Sequence, residues 1–395
     1  MKRLFCIIAL ALFTGLPAAA PASAFQTGEA SEAPVPAGLE AAVDGFAQDI
    51  LDEGQAPGLS IGIARAGEPL LIRGYGLANL EHAVPVTADT VFRIGSITKQ
   101  FTAAAILMLA EDGLLSLDDT LDQYFPDFPR SSEVTLRQLL QHTSGIHNYT
   151  SLEGFMGTTA PLDHDADRMV AYIASADPLY DFDPGTGWSY SNSGYMLLDY
   201  IVEQVAGQPL AEVLRTRIFD PLGMTRTRMD DLAEIVPGRA QGYDAAPDGA
   251  QGFTNTKHLS LSVAAGAGAI RSSPRDLIVW TDALLGGEVV SQDSLELMLA
   301  PARLADGSLA SAARPAPENG PARPDYGFGI MTGERDGIAF IGHGGSINGF
   351  NASLIHYPGQ DITIVLLVNT IGPAARGAPV LASAVLDELA APQDD

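Results

Sequence analysis

The chain has 395 residues, 22 basic against 48 acidic side chains and a net charge of −26 at neutral pH. That balance argues against nucleic acid or an anionic membrane surface as a partner and favours solubility. The one cysteine, Cys6, cannot build a disulfide framework or a cysteine metal site within the chain.

Taken in order, Lys2 and Arg3 precede an apolar run over 4–16, and Ala22-Ser23-Ala24 offers a small-residue cleavage site. This pattern predicts a secretory signal peptide over 1–24, cut after Ala24, and hence a periplasmic or secreted product. The run is too short to span a bilayer, and no later apolar stretch reaches the ~20 residues a membrane helix needs, so no stable membrane anchor is expected. Cleavage would remove Cys6 and two basic residues, leaving 20 basic against 48 acidic and a charge of −28. Residues 25–36, rich in Ala, Pro, Glu and Ser, read as a flexible mature N-terminus. The remainder, 37–392, is long enough for one two-lobed domain or for two domains.

Apolar spacing predicts a helix over 37–51, then strands over 59–64 and 70–74 joined as a hairpin. Gly58-Leu-Ser60-Ile-Gly62 matches the G-x-S-x-G nucleophile elbow, but a strand follows the serine where that motif needs a helix, so it reads as a strand start. A helix apolar on nearly every face follows Ser96, which predicts burial. From about 113 to 255 the pattern is mainly helical, with helices over 135–142, 166–175, 193–206 and 210–218, and reads as a lobe inserted into a sheet. Residues 264–270 read as a close-packed turn before another helix, and 301–324 as an exposed excursion. Strands are predicted over 326–332, 338–343, 352–357 and 362–369, forming an antiparallel sheet, with a closing helix over 379–389.

Three motifs carry chemistry. In Ser96-Ile-Thr-Lys99 the two side chains are three apart on a helix and so are neighbours. Burial disfavours an ammonium, and a lysine of lowered pKa can take the serine proton. The whole chain holds just three lysines, Lys2, Lys99 and Lys257, so one on an apolar helix invites a chemical explanation. Tyr190-Ser-Asn192, in a Gly- and Ser-rich loop before a helix, places a phenol beside an amide; the alternative is an asparagine that caps the helix. Gly342-His343-Gly344-Gly345-Ser346 ends a predicted strand, where glycines permit a close approach and an N–H can face an oxyanion. Its plainer reading is a glycine-rich bulge. His142, at a helix end before Thr-Ser-Gly145, reads as a structural histidine.

Together, in this order and approximate spacing, Ser96-x-x-Lys99, Tyr190-x-Asn192 and His343-x-Gly345 resemble the serine β-lactamase and penicillin-binding protein superfamily, closest to its class C-like branch. The resemblance implies an α/β (α+β) fold, β-lactamase/transpeptidase-like, with an antiparallel sheet flanked by helices and a mainly helical lobe, in one two-lobed domain over 37–392. It implies Ser96 as the acylated nucleophile, Lys99 and Tyr190 sharing proton transfer, and His343 lining the site opposite Tyr190. Asn192 would bind the substrate amide, Gly345 would keep its strand open, and the backbone N–H groups of Ser96 and Ser346 would form the oxyanion hole. No metal or cofactor is implied. His343 and Gly344 depart from a Lys-Thr-Gly pattern that helps hold a substrate carboxylate. The expectation is therefore an exported hydrolase of small esters or D-amino-acid-containing amides. The alternatives are a penicillin-binding DD-carboxypeptidase or weak β-lactamase, and a non-catalytic sensor or scaffold that keeps the fold.

Overall fold

A computed structural model describes residues 35–247, 252–313, 323–372, 374 and 377–390. The predicted leader and nearly all of the 25–36 stretch lie outside these residues, as does part of the 301–324 excursion. In chain order the elements are α1 (Ala37–Asp52), β1 (Gly58–Arg65), β2 (Glu68–Asn79), β3 (Val84–Pro85), β4 (Phe92–Arg93), α2 (Thr98–Glu111), α3 (Leu136–Gln141), α4 (Ala166–Ala174), α5 (Asn192–Ala206) and α6 (Leu210–Leu214). There follow β5 (Arg228–Met229), β6 (Tyr243–Ala245), β7 (Phe253–Asn255), α7 (Ala265–Gly268), β8 (Ile270–Ser272), α8 (Pro274–Leu285) and α9 (Gln292–Leu299). The chain ends in β9 (Asp325–Tyr326), β10 (Met331–Arg335), β11 (Ile338–Ile347), β12 (Phe350–Tyr357), β13 (Ile362–Val368), β14 (Thr370–Ile371) and α10 (Ala378–Ala390).

Eight strands form one antiparallel sheet in the order β3-β2-β1-β13-β12-β11-β10-β9. The N-terminal hairpin therefore sits beside the last long strand, with Ile61 opposite Leu366 and Ile63 opposite Ile364. Alternation divides the strands between two cores. Leu59, Ile61, Ile63, Ile364 and Leu366 pack with Leu39 and Val43 of α1 and Leu381 and Val385 of α10. The other face of the same strands, with Ala64, Val365 and Leu367, joins the larger core built on α2, α5 and α8. β1 and β13 are covered on both faces, which is why they read as continuous apolar runs. Ser60 of the rejected elbow is fully buried inside β1.

α2 is enclosed from Thr98 to Leu109. Each buried Leu or Ile contributes about 1.5–3 kcal/mol, so its axis is anchored and its first turn is a rigid platform. Thr135 and Gln138 close a capping box at the start of α3, whose end is set by His142 in the left-handed region at φ 61°.

Three expectations need correction. The strand expected at 326–332 is broken into β9 and β10, because Gly327 N–H donates to Ile330 O at 2.8 Å and the chain turns through Gly329 at φ +68°. A Cβ at Gly329 would lie 2.6 Å from Lys99 O; the glycine bend lets this segment rest against α2. The helix expected at 210–218 is α6 followed by a wider π turn, Arg215–Phe219. The helical stretch 113–255 also contains β5, β6 and β7, which join two small sheets with β4 and β8 and with β14. Strands of two or three residues carry no period to read. Among the described residues no helix is long and apolar enough to cross a membrane.

Candidate active site

Ser96 lies in a short 3-10 turn, Gly95–Ile97, just ahead of α2, and Lys99 in the first turn of α2 itself. Lys99 Nζ is 3.1 Å from Ser96 Oγ, 2.8 Å from Asn192 Oδ1 and 2.7 Å from the Ala267 carbonyl oxygen. All three partners are neutral. The faces of Tyr190 and Tyr195, 4.8 and 5.4 Å away, favour a cation, but by roughly 0.5–2 kcal/mol. Burying an ammonium costs several kcal/mol, and the side chain is fully buried. Desolvation therefore wins, and the Lys99 pKa falls well below its ordinary value.

The neutral amine has two N–H groups and one lone pair. Carbonyl oxygens only accept, so Asn192 Oδ1 and Ala267 O take the two N–H groups. In the neutral form the lone pair is left for the Ser96 hydroxyl, which then donates to it; as an ammonium, Nζ donates to Ser96 Oγ.

Burial pushes the Tyr190 phenol well above its usual pKa, and the Ser96 hydroxyl beside it offsets part of that rise. The approach falls short of hydrogen-bond geometry, so the buried Tyr190 hydroxyl closes no bond in this arrangement. The ring is held from behind by His142, centroids 4.4 Å apart. His142 Nδ1 accepts from Ser191 N–H at 3.3 Å, in keeping with the structural role expected of it.

Asn192 is the first residue of α5, and its side chain does not cap the helix. Its Oδ1 faces Lys99, its Nδ2 donates to Thr150 Oγ1 at 3.3 Å, and its backbone N–H donates to Asn148 Oδ1 at 3.1 Å. Thr150, Ala267 and Tyr326 of this site were missed in the sequence. The small-residue run at 264–270 marked close packing, but nothing in it named Lys99 as the neighbour.

The His-Gly-Gly-Ser motif runs inside β11, which continues to Ile347, and does not end the strand. A Cβ on Gly345 would fall 1.9 Å from Ile94 O and 3.3 Å from Ser96 N. The glycine thus lets β11 close on the backbone segment that carries Ser96. Gly95, at φ +50°, would place a Cβ 2.7 Å from Ser346 N, so the backbone amides of Ser96 and Ser346 are brought side by side.

His343 is buried, and its ring lies 6.2 Å from that of Tyr190. Nδ1–H meets Gly344 O, and Nε2 accepts from Tyr326 O–H at 3.1 Å. Burial, with Lys99 nearby, pushes its pKa down to about 4. It is a neutral packing group behind Tyr190, with both nitrogens engaged.

A cleft of about 210 Å³ opens over Ser96 and is bordered by Asn192 and Ser346, with Tyr149, Phe155, Met156 and Ile347 among its apolar walls. None of its described lining residues is charged. A larger cavity, about 970 Å³, lies away from Ser96 and is acidic, with Asp163, Asp199 and Asp230 on its wall. Among the described residues no group of three or more His, Asp, Glu or Cys side chains is arranged to hold a metal ion.

The Beta-lactamase family model matches residues 43–386. The chain belongs to the beta-lactamase family. This beta-lactamase-family chain is 30% identical to a D-aminopeptidase of Gluconobacter oxydans over 333 residues, covering 83% of this chain and 59% of that protein. It is 29% identical to penicillin-binding protein 4* of Bacillus subtilis, covering 78% of this chain and 66% of that one. The chain thus spans about three-fifths to two-thirds of the length of these curated relatives. Among solved structures, D-amino acid amidase from Ochrobactrum anthropi SV3, complexed with L-phenylalanine amide, superposes with a TM-score of 0.75 at 27% identity, covering 89% of this chain and 98% of that one. The octameric penicillin-binding protein homologue from Pyrococcus abyssi gives 0.74 at 28% identity, covering 88% and 76%. The family and the antiparallel sheet flanked by helices agree with the expectation drawn from the motifs.

Proposed function

We propose that this chain is an exported serine hydrolase that acts through a Ser96 acyl-enzyme on small esters or D-amino-acid-containing amides. The observation that carries the reading is the Lys99 amine, buried among neutral acceptors and aimed at Ser96 Oγ. Ser96 Oγ attacks the substrate carbonyl while its proton passes to Lys99, directly or relayed through the Tyr190 hydroxyl, which gives its own proton to Lys99 as it takes the serine's. Negative charge on the carbonyl oxygen is met by the N–H groups of Ser96 and Ser346. Collapse breaks the bond to the alcohol or amine, which leaves with the proton, and the acyl group stays on Ser96. Water then attacks the ester with the same groups removing its proton, and Ser96 is restored.

Support for a small neutral acyl group comes from the uncharged, partly apolar cleft. His343, neutral at pH 7 and engaged with Tyr326, offers no cation to a substrate carboxylate. That weighs against efficient turnover of penicillins or D-Ala-D-Ala peptides. The D-aminopeptidase and D-amino acid amidase relatives support the amide arm. Export rests on Lys2, Arg3, the apolar run and Ala22-Ser23-Ala24.

The test is intact-protein mass spectrometry with product release, after brief parallel exposure to a p-nitrophenyl ester, a D-alanyl amide and a fluorescent penicillin. Rapid ester or amide turnover without a stable penicillin adduct is expected. A persistent penicillin adduct on Ser96 with little turnover would replace this reading with a penicillin-binding one. N-terminal sequencing of protein recovered from the periplasm or medium would show Phe25 first; an intact Met1 on cytosolic protein would refute export.

A further inference from the structure

Ala267 O takes one of the two Lys99 N–H groups and so helps decide where the lone pair points. What holds that carbonyl is therefore part of how Ser96 is activated. It belongs to α7, a single turn of four residues, Ala265–Gly268, too short to be stable by its own hydrogen bonds. The turn begins with Ala265 at φ 35°, a left-handed value that a non-glycine residue adopts only when its surroundings impose it. Nor is it packed on every side. Ala267 and Gly268 face the catalytic cleft, while Ala265 and Ala269 border the 970 Å³ cavity behind it.

Two side chains grip this turn. Asp199 of α5 accepts the Gly266 N–H on Oδ2 at 2.7 Å, and Thr102 of α2 donates to the Gly266 carbonyl oxygen at 2.7 Å. Asp199 is two helical turns beyond Asn192, and Thr102 is three residues beyond Lys99. The helices that supply the amine and its amide partner thus also hold the third member of the set, at the peptide unit next to the carbonyl that Lys99 uses. The approach is close: a Cβ at Gly266 would lie 2.9 Å from Asp199 Cβ and 3.1 Å from Thr102 Oγ1.

We infer that Asp199 and Thr102 are positioning residues for acyl transfer, which fix the Gly266–Ala267 peptide so that the Ala267 carbonyl directs the Lys99 lone pair at Ser96. Asp199 is a poor choice for stability alone. Burial pushes its pKa up to about 7, so the folded state disfavours its ionised form relative to the unfolded chain. The inference rests on the proposed Ser96 chemistry, and its test separates the two.

Single-turnover acylation and steady-state kinetics with a p-nitrophenyl ester would be measured for the full chain, D199A, D199N, T102V and S96A, with thermal melts of each. D199A is expected to lower kcat about tenfold or more with KM within about twofold, because the clamp orients a base and does not touch substrate. D199N keeps a carbonyl acceptor for Gly266 N–H and is expected to recover kcat to within about threefold of the parent. T102V is expected to lower kcat by several-fold with KM unchanged, and decides the matter if D199A does not fold. Folded D199A with parental kcat, D199A loss that D199N does not recover, or T102V with parental kcat would overturn the inference. Parental hydrolysis by S96A would instead remove the Ser96 reading, whatever the clamp variants do.

Discussion

Two buried ionisable side chains in this fold are treated in opposite ways. Asp230, whose side chain is fully enclosed, is ringed by Arg93 at 2.9 Å, Arg239 at 2.9 Å and Arg271 at 3.2 Å. Its charge is compensated several times over. Lys99, equally enclosed, has a hydroxyl, an amide oxygen and a peptide carbonyl as its hydrogen-bond partners. A buried carboxylate among guanidinium groups ties elements together; a buried amine among neutral acceptors has its pKa pushed down. The first arrangement serves the fold, and the second serves the proposed chemistry. Both join the same region, since Arg93 of β4 lies opposite Arg271 of β8, and the Asp230 backbone N–H donates to Ala269 O at 2.8 Å.

The sharpest way to break this contrast is at the lysine. Ser96→Ala is expected to abolish ester or amide turnover, by roughly 10³-fold or more, with the melting temperature unchanged. Lys99→Met should cost roughly 10²–10⁴-fold in kcat while leaving a folded chain, measured by steady-state kinetics beside circular dichroism. A folded Lys99→Met enzyme with full activity would remove the base from the account. Asp230→Ala should do the reverse: a stability loss of about 3–5 kcal/mol, because the enclosed carboxylate shared by three guanidinium groups is gone and Arg271 is left with Glu234 alone as its ion-pair partner, read by denaturant unfolding, with a smaller effect on kcat in the protein that remains folded.

Gly345→Ala tests the backbone side of the site. A methyl placed 1.9 Å from Ile94 O must push β11 from the nucleophile segment. About 1–3 kcal/mol of stability should go, and a misplacement of that size should cost roughly tenfold or more in kcat/KM. Parental kinetics in that variant would show that the Ser96 and Ser346 amides need not be held together.

The smallest expected effect concerns His343. Its pKa is pushed down to about 4 in the fold against about 6.5 in an unfolded chain. Between those values the unfolded chain binds more protons, so stability falls as pH drops from about 6.5 toward 4. A His343→Gln variant should lose about 1–3 kcal/mol of that pH dependence, at about 1.4 kcal/mol per pKa unit. No His343 limb is expected in the activity profile between pH 6 and 8. A limb there that vanishes in His343→Gln would place the histidine in the proton-transfer machinery.

Much of the candidate site was readable because its signals are local. Ser96 and Lys99 share one helical start, Tyr190 and Asn192 one loop, and α2 announces its burial by being apolar all round. The hairpin, the last three long strands and the closing helix were readable from periodicity for the same reason. What was hidden is long-range. Ala267 acts through a backbone carbonyl, which has no side-chain signature, and Asp199 through a backbone amide 67 residues away. His343 sat in a motif with the right residues, yet its direction is set by Tyr326 and by the pleat of β11, and neither is visible in a linear spacing. β9 and β10 were merged because the bend at Gly329 is made by contact with α2, which no local pattern records.

The most direct test of the central claim uses the scarcity of lysine: with Lys99 one of just three, lysine labelled with carbon-13 at Cε gives a spectrum simple enough to titrate in the whole chain. One resonance, absent in Lys99→Met, should titrate well below the ~10.4 of an ordinary lysine. If every lysine resonance titrated near that ordinary value, Lys99 would be a buried cation at neutral pH, and the account of how Ser96 is activated would be wrong.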